Sequence, residues 1–305
     1  ALERGAAHKA PQAAPRWEHS LSLPVIALES PAVVSCVGSR MLALVTDLLR
    51  RREVVFDLAK NDFRREYAGS VLGFAWAFIQ PLMFIAVLYV VFTVGLRANP
   101  AGAGMPFVVY LTIGMICWMY FATNLAAITG VFLSYSFLIN KVNFRLSVLP
   151  LVKLLSSLPT HLVLICVALG VAWQEGFAPT LYTLQLFYYF LCLLCLLYGV
   201  GLAASAANLF VRDVQRGVAV VVQFGFWATP VFWNPAILPE RFEFLVRLNP
   251  VWYLVRGYRD SIVNQVGFWE RPVDALVFWA TVGLFWLVAM VVYRRLKPHF
   301  AEVVA

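Results

Sequence analysis

The chain has 305 residues, of which 62% are hydrophobic and 13% are charged, and its formal net charge is +8 at pH 7. Soluble domains carry about 25% charged residues, so this composition excludes an ordinary soluble protein and predicts an all-α integral membrane protein. Cys192 and Cys195 form a CxxC pair inside an apolar run. They are expected to pack as small hydrophobic residues, and no metal site is predicted.

Two regions precede the apolar part of the chain. Residues 1–49 are predicted to be a flexible cytoplasmic segment, and residues 50–72 an amphipathic interface helix on the membrane surface. Asp62 and Glu66 interrupt the apolar arc of this helix. Their carboxylates are interpreted as groups that cap or solvate the helix; the resemblance given below implies the alternative that they face a partner or lipid headgroups. The arc consists of Val55, Phe56, Leu58, Ala59, Phe63 and Tyr67.

Residues 73–305 are predicted to form a domain of six transmembrane helices. A helix needs roughly 20 mostly apolar residues to cross the hydrocarbon core of a bilayer, and six stretches of the chain meet that length. The predicted spans are 74–96, 107–133, 148–173, 181–207, 214–233 and 273–293.

The basic residues outside these spans concentrate on one side. That side carries the runs at 50–52, 141–153 and 294–297, whereas the other carries Arg97 and a mixed-charge loop. Basic loops remain in the cytoplasm, so both termini are predicted to be cytoplasmic. The run at 50–52 is interpreted as a topology signal, and no nucleic-acid partner is expected.

The prolines between spans five and six predict an irregular external segment over 226–264. Asn249 followed by Pro250 is a typical helix start, and Arg256 and Asp260 in that helix are spaced to pair. Non-helical backbone at membrane depth must be covered by protein or line a water-filled cavity. We therefore predict re-entrant gate helices that line an external cavity.

The spans contain few ionisable groups, which argues against an ion-coupled transporter. His161 is expected to be a helix-packing residue rather than a proton relay. The chain has no GxxxxGK phosphate-binding loop and no recognisable catalytic motif. Any energy for transport is therefore expected to come from a partner protein.

Six segments, in this order, carry a resemblance to a known family. They are NDFRREYAGSVLGFAWAFIQPL, INKVNFRLSVLP, NLFVRDVQ, ATPVFW, NPVWYLVRGYRD and YRRLKPHFAEVV, which together cover the chain from about residue 50 to its end. This set resembles the permease subunit of ABC-type polysaccharide exporters of the second permease class. That bacterial group exports O-antigen, capsule and teichoic acid glycans.

The resemblance implies a transport subunit of the bacterial inner membrane, not an enzyme. It implies a homodimer with two copies of an ATPase subunit, a lipid-linked glycan as substrate, and membrane lipids around it. Periplasmic export partners are left open. No cofactor is expected in this chain, because the partner would bind ATP and Mg²⁺. The residues implied to contact the ATPase are Asn140, Lys141, Asn143, Phe144 and Arg145, together with Asp62 and Glu66 on the interface helix.

The aromatic residues admit two interpretations. Aromatic belts at the membrane interfaces are common to membrane proteins. Alternatively, aromatic faces pack against the C–H faces of sugar rings, so they could line a path for a glycan. The residues proposed for this path, called the conduit residues below, are Trp76, Phe84, Trp227, Phe232 and Trp233.

Three other functions compete with polysaccharide export. The first is an ABC exporter of drugs or small lipids with the same fold. The second is an integral membrane enzyme that modifies glycans or lipids, for which Glu240, Arg241, Glu243 and Arg247 are the candidate residues. The third is a passive channel, although no ring-forming charged residues lie within the spans. An enzyme would turn over substrate as an isolated chain, whereas a permease would be inert.

Overall fold

The computed structural model describes residues 52–68, 71–95, 97, 104–138 and 146–304. Every regular element in this part of the chain is helical, which confirms the all-α prediction. The segment predicted to be flexible, 1–49, lies outside the described residues. The main helices in chain order are α1 (Arg52–Tyr67), α2 (Gly73–Gly95), α3 (Phe107–Thr129), α4 (Leu146–Gln174), α5 (Leu181–Phe210), α6 (Asp213–Ala228), α7 (Glu243–Leu248), α8 (Pro250–Arg259), α9 (Pro272–Leu296) and α10 (Phe300–Val304).

Five of these helices are long and apolar enough to cross a membrane, namely α2, α3, α4, α5 and α9 with the turn that follows it. The chain is therefore a multi-pass membrane protein. The helix α4 has two parts, Leu149–Ser156 and Leu158–Gln174, which are divided at Ser157. Pro159 lies in the first turn of the second part, and proline lacks the N–H group that a continuous helix would need at that position. Proline also lies inside α2, at position 81.

The predicted fifth span, 214–233, differs from the structure. Its helix, α6, has 16 residues and ends at Ala228, so it is about 24 Å long against a hydrocarbon core of about 30 Å. Thr229 adopts an extended conformation, as residues before proline do, and Pro230 cannot continue the helix. Five full spans are found among the described residues, and the sixth is not confirmed.

The centre of the bundle is α3. In its apolar stretch 72% of the residues are buried, against 56% in α5 and only 11% and 17% in α2 and α9. His161 packs in this centre as expected: its ring stacks on Phe190 at 5.2 Å, and its Nε2 lies 3.0 Å from the Tyr258 hydroxyl. The outer helices α2 and α9 leave large apolar faces for lipid or for another protein.

The reversal between α5 and α6 is fixed by Asn208. Its amide nitrogen donates to the carbonyl of Thr129, at 3.0 Å, and its amide oxygen accepts from the backbone N–H of Gln215, at 3.1 Å. One buried side chain thus joins the ends of α3 and α5 to the start of α6. The neighbouring Arg212 is exposed, and Asp213 forms an exposed ion pair with Arg216, so these charges do not hold the loop from inside.

Replacing Asn208 with alanine is expected to destabilise the protein by about 2 kcal/mol, because it leaves a buried carbonyl and a buried N–H without their partner. The measurement is the thermal midpoint of the detergent-solubilised protein. Arg212→Ala in the same loop is the control and is expected to leave the midpoint unchanged. Equal midpoints for both variants would contradict the role assigned to Asn208.

Candidate functional site

Four of the five conduit residues gather around one further aromatic residue, Phe226 on α6. The ring of Phe84, on α2, lies 6.3 Å from that of Phe226, and the ring of Phe232 lies 5.3 Å from it. Trp227 contacts Phe232 at 5.3 Å, and the indole N–H of Trp233 donates to the carbonyl of Trp227 at 3.1 Å. Phe226 is not among the conduit residues proposed from the sequence.

Exposure divides the conduit residues into two groups. Trp227 is 61% exposed, Trp76 46% and Phe84 45%, whereas Phe232 is only 6% exposed. Trp76 is set apart from the cluster, two helical turns or about 12 Å before Phe84 along α2. The buried ring of Phe232 therefore supports an exposed aromatic surface formed by α2 and α6. This surface has the chemistry of a sugar-contacting face, and the conduit role stays a prediction.

The turn that follows α6 is held by Arg259, the last residue of α8. Its guanidinium donates to the carbonyls of Pro230, at 2.9 Å, and of Val231. It also donates to the carbonyl of Tyr110 on α3, at 3.2 Å, and lies 3.4 Å from the centre of that residue's ring. A single cation thus binds three carbonyls and one aromatic face.

Arg259 is buried, with 6% of its surface exposed. An arginine side chain stays protonated in proteins, so the group is charged. Because α6 ends at Ala228, the carbonyls of Pro230 and Val231 have no helical N–H to bind, and Arg259 supplies the donors instead. Sequence reasoning missed Arg259, and the only signal for it was its place in the segment NPVWYLVRGYRD.

Two close contacts complete this turn. The Tyr110 hydroxyl donates to the carbonyl of Trp233 at 2.6 Å. At Gly114, one turn further along α3, a Cβ would lie 2.4 Å from the carbonyl oxygen of Val231, so the turn approaches α3 where no side chain intervenes. These contacts fasten the turn, and with it Phe232 and Trp233, to the central helix.

The start of α8 agrees with the sequence prediction. The Asn249 side chain accepts from the N–H of Val251 at 3.0 Å, and Pro250 occupies the first turn, so the predicted cap is confirmed. The amide of Asn249 also donates to the Thr229 hydroxyl at 2.8 Å. The helix cap is therefore bonded directly to the end of α6.

A second charged cluster surrounds Asp260, just after α8. Arg256 lies 3.8 Å from its carboxylate, which confirms the predicted pair, and Arg271 lies closer, at 2.8 Å. Arg256 also pairs with Asp274 at 3.0 Å. Since Asp274 is in the first turn of α9, this cluster ties α8 to the start of the last span.

Residues 53–263 match the family described as ABC-2 type transporter. The chain belongs to the ABC-2 type transporter family. This match confirms the resemblance seen in the sequence, and it covers α1 to α8, including Asp62, all the conduit residues and Arg259.

Three relatives are similar to this ABC-2 protein over more than four fifths of its length. Two proteins of Klebsiella pneumoniae named O-antigen export system permease protein RfbA are 25% and 26% identical to it, over 82% of this chain and 95% of each relative. A Myxococcus xanthus protein of the same name is 25% identical over 86% of this chain and 99% of its own length.

Membership of the ABC-2 family makes the chain a membrane transport subunit and implies an ATPase partner subunit. The family thus opposes the alternative of a membrane enzyme. Of the four residues considered for an enzyme, Arg241 and Arg247 are exposed, and the side chains of Glu240 and Glu243 lie outside the described part of the structure.

Of the residues predicted to contact the ATPase, the structure describes only Glu66 and Asp62. Asn140, Lys141, Asn143, Phe144 and Arg145 all lie outside the described residues of this ABC-2 protein. Glu66 is exposed at the end of α1, and its contact with a partner stays a prediction. Asp62 is buried, and its carboxylate accepts from Lys153 of α4 at 2.7 Å, so it is turned towards the bundle instead.

Proposed function

We propose that this chain is the transmembrane subunit of an ATP-driven exporter that moves a lipid-linked polysaccharide from the cytoplasm to the outer leaflet of the bacterial inner membrane. The glycan would be of the O-antigen, capsule or teichoic acid type. The observation that carries this proposal is the similarity to proteins named O-antigen export permeases along more than four fifths of the chain.

The working unit in this proposal contains two copies of the chain and two ATPase subunits, which bind ATP and Mg²⁺. The helix α6 supports the dimer, because it has no buried residue within one copy. Val221 and Phe224 on this helix are 65% and 70% exposed. Apolar faces of this size normally contact lipid or protein, and a second copy would cover them while enclosing a path between the two.

A sixth crossing also belongs to this proposal. The helix α6, the turn at 229–233 and the short helices α7 and α8 together would complete it, with both chain termini in the cytoplasm. Their irregular backbone is supported by Arg259 and by the Asn249 cap, as backbone at membrane depth requires. The segment would then act as the external gate.

The exposed aromatic surface provides the transport chemistry in this scheme. Aromatic faces attract the C–H faces of sugars weakly and without regard to sequence along the glycan, so a long polymer can slide over them. Trp227 and Phe84 would contact the glycan, and Phe232 would hold their surface in place. ATP binding and hydrolysis by the partner would open and close the path.

Replacing both Phe84 and Trp227 with alanine is expected to reduce the amount of glycan at the cell surface by about tenfold, because each lost aromatic contact is worth about 0.5–1.5 kcal/mol. The measurement is an immunoblot of surface glycan in cells that depend on this chain and its ATPase. Trp173→Ala is the matched control, since this tryptophan is 70% exposed at the far end of α4.

Normal surface glycan in the double variant, with the chain present at its usual level, would contradict the conduit. The runner-up function, export of a drug or small lipid, makes a different prediction. Deleting the chain would then leave the surface glycan unchanged and alter the tolerance of the cell to the exported compound.

A further inference from the structure

Asp62 is the charge that interrupts the apolar arc of α1, and the structure shows what it binds. Its Oδ1 accepts from the Tyr135 hydroxyl at 2.8 Å and from the Lys153 ammonium at 2.7 Å. Its Oδ2 accepts from Lys153 at 2.8 Å and from the Ser156 hydroxyl at 2.9 Å. Both carboxylate oxygens therefore have two donors each, and the group is fully satisfied although it is buried.

These donors come from two different parts of the bundle. Tyr135 follows the end of α3, whereas Lys153 and Ser156 belong to the first half of α4. Asp62 therefore joins three elements at one point: the interface helix, the end of the second span and the start of the third.

Apolar contacts surround the same junction. Val55 and Ala59 of α1 pack against Val148 and Val152 of α4, and all four residues are buried. Such a contact holds the two helices together but allows α1 to slide, since apolar packing has no preferred direction. The charged hydrogen bonds of Asp62 have fixed geometry, and a buried polar group of this kind can set the register between helices.

The junction continues into the centre of the protein. Immediately after Ser156, the Ser157 hydroxyl donates to the amide oxygen of Asn124 on α3 at 2.7 Å. The hydroxyl of Tyr120, also on α3, donates to the carbonyl of Leu154 at 2.7 Å. The first half of α4 is therefore hydrogen-bonded on one side to α1 and on the other to the most buried span.

We propose that Asp62 is a positioning residue that locks α1 to α4, so that movement imposed on α1 by the ATPase reaches the transmembrane helices. The proposal rests on the proposed function and on the contact between α1 and the ATPase that the family resemblance implies. In this arrangement Asp62 does not contact the ATPase. It makes α1 and the first half of α4 move as one body, and its loss separates ATP hydrolysis from glycan export.

The test uses the complete exporter, with its ATPase, in liposomes loaded with lipid-linked glycan. Asp62→Asn and Lys153→Met are each expected to lower the glycan exported per ATP hydrolysed by about tenfold, the usual size of coupling between two sites. The double variant is expected to lose no more than either single variant, because both changes break the same link. Tyr135→Phe keeps the ion pair and is expected to show a smaller loss.

Hydrogen exchange provides a second measurement that does not depend on transport. In Asp62→Asn, the amides of α1 are expected to exchange at least about tenfold faster, because the helix opens locally once its buried contact is lost. Asp213→Asn is the matched control: it removes an ion pair with Arg216 in which the side chains are 76% and 87% exposed, and exposed pairs contribute little. It is expected to leave both measurements unchanged.

The outcomes separate the two proposals. A wild-type complex that hydrolyses ATP but moves no glycan would contradict the proposed function. The hydrogen exchange of the α1 amides would then test the link between α1 and α4 by itself. A wild-type complex that exports glycan, with Asp62→Asn unchanged in export per ATP, would overturn the positioning role. Additive losses in the double variant would overturn it as well, since Asp62 and Lys153 would then act independently.

Discussion

Replacing Arg259 with methionine is expected to abolish export and to destabilise the protein by about 3–5 kcal/mol. Methionine fills much of the same space but donates no hydrogen bond, so the carbonyls of Pro230, Val231 and Tyr110 would lose their donor in a buried place. Each buried acceptor without a partner costs about 1–3 kcal/mol, and a protein's whole stability is only about 5–15 kcal/mol. The turn after α6 would no longer be held.

The measurements are the thermal midpoint of the purified protein and the glycan at the cell surface. Arg241→Met is the matched control, because Arg241 is an exposed residue of the same segment between α6 and α9 and stacks on Phe242. It is expected to retain both properties. Arg259→Lys should give an intermediate result, since a lysine keeps the charge but cannot reach three carbonyls with the same planar geometry. A fully stable Arg259→Met protein would show that the turn is held by other contacts.

Replacing Gly114 with alanine is expected to have the second largest effect. The added Cβ would lie 2.4 Å from the carbonyl oxygen of Val231 and 2.6 Å from a guanidinium nitrogen of Arg259. The first of these atoms belongs to the backbone, so the turn itself must move. Overpacking costs about 1–3 kcal/mol, and here the upper end is expected because the hydrogen bonds of Arg259 would be disturbed at the same time.

Gly170→Ala is the control for this change. Gly170 also lies within a spanning helix, but a Cβ there would meet no atom within 4 Å. Alanine has a higher helix propensity than glycine, so this variant is expected to be as stable as the wild type or slightly more stable. Thermal midpoints of both variants, measured in the same detergent, test the comparison. Similar midpoints would mean that the turn can shift away from α3 without cost.

The interface helix shows what sequence periodicity can predict. The apolar spacing predicts a helix over 50–72, and the structure has one at Arg52–Tyr67, in which Val55 and Ala59 are buried. The same periodicity leaves Asp62 unexplained, because its partner Lys153 lies 91 positions away. A charge on an apolar face is a signal of a distant partner, but the sequence does not say which one.

The fifth predicted span shows a different limit. The span 214–233 is predicted from its length and its apolar residues, and neither of these detects that the helix ends before Pro230. Five other spans were found close to their predicted bounds, since each has an uninterrupted apolar stretch. The cluster around Phe226 depended on contacts between α2, α6 and the following turn, and no local pattern encodes contacts between elements so far apart.

The pairing of Asp62 with Lys153 also has a consequence for biogenesis. Ribosomes add about 5–20 residues each second, so the 91 positions between the two residues correspond to about 5–18 s of synthesis. During that time α2 and α3 must enter the membrane before Lys153 is available to the carboxylate on the apolar side of α1. Among the elements that the structure describes, α1 therefore leaves the ribosome first and is among the last to reach its final contacts.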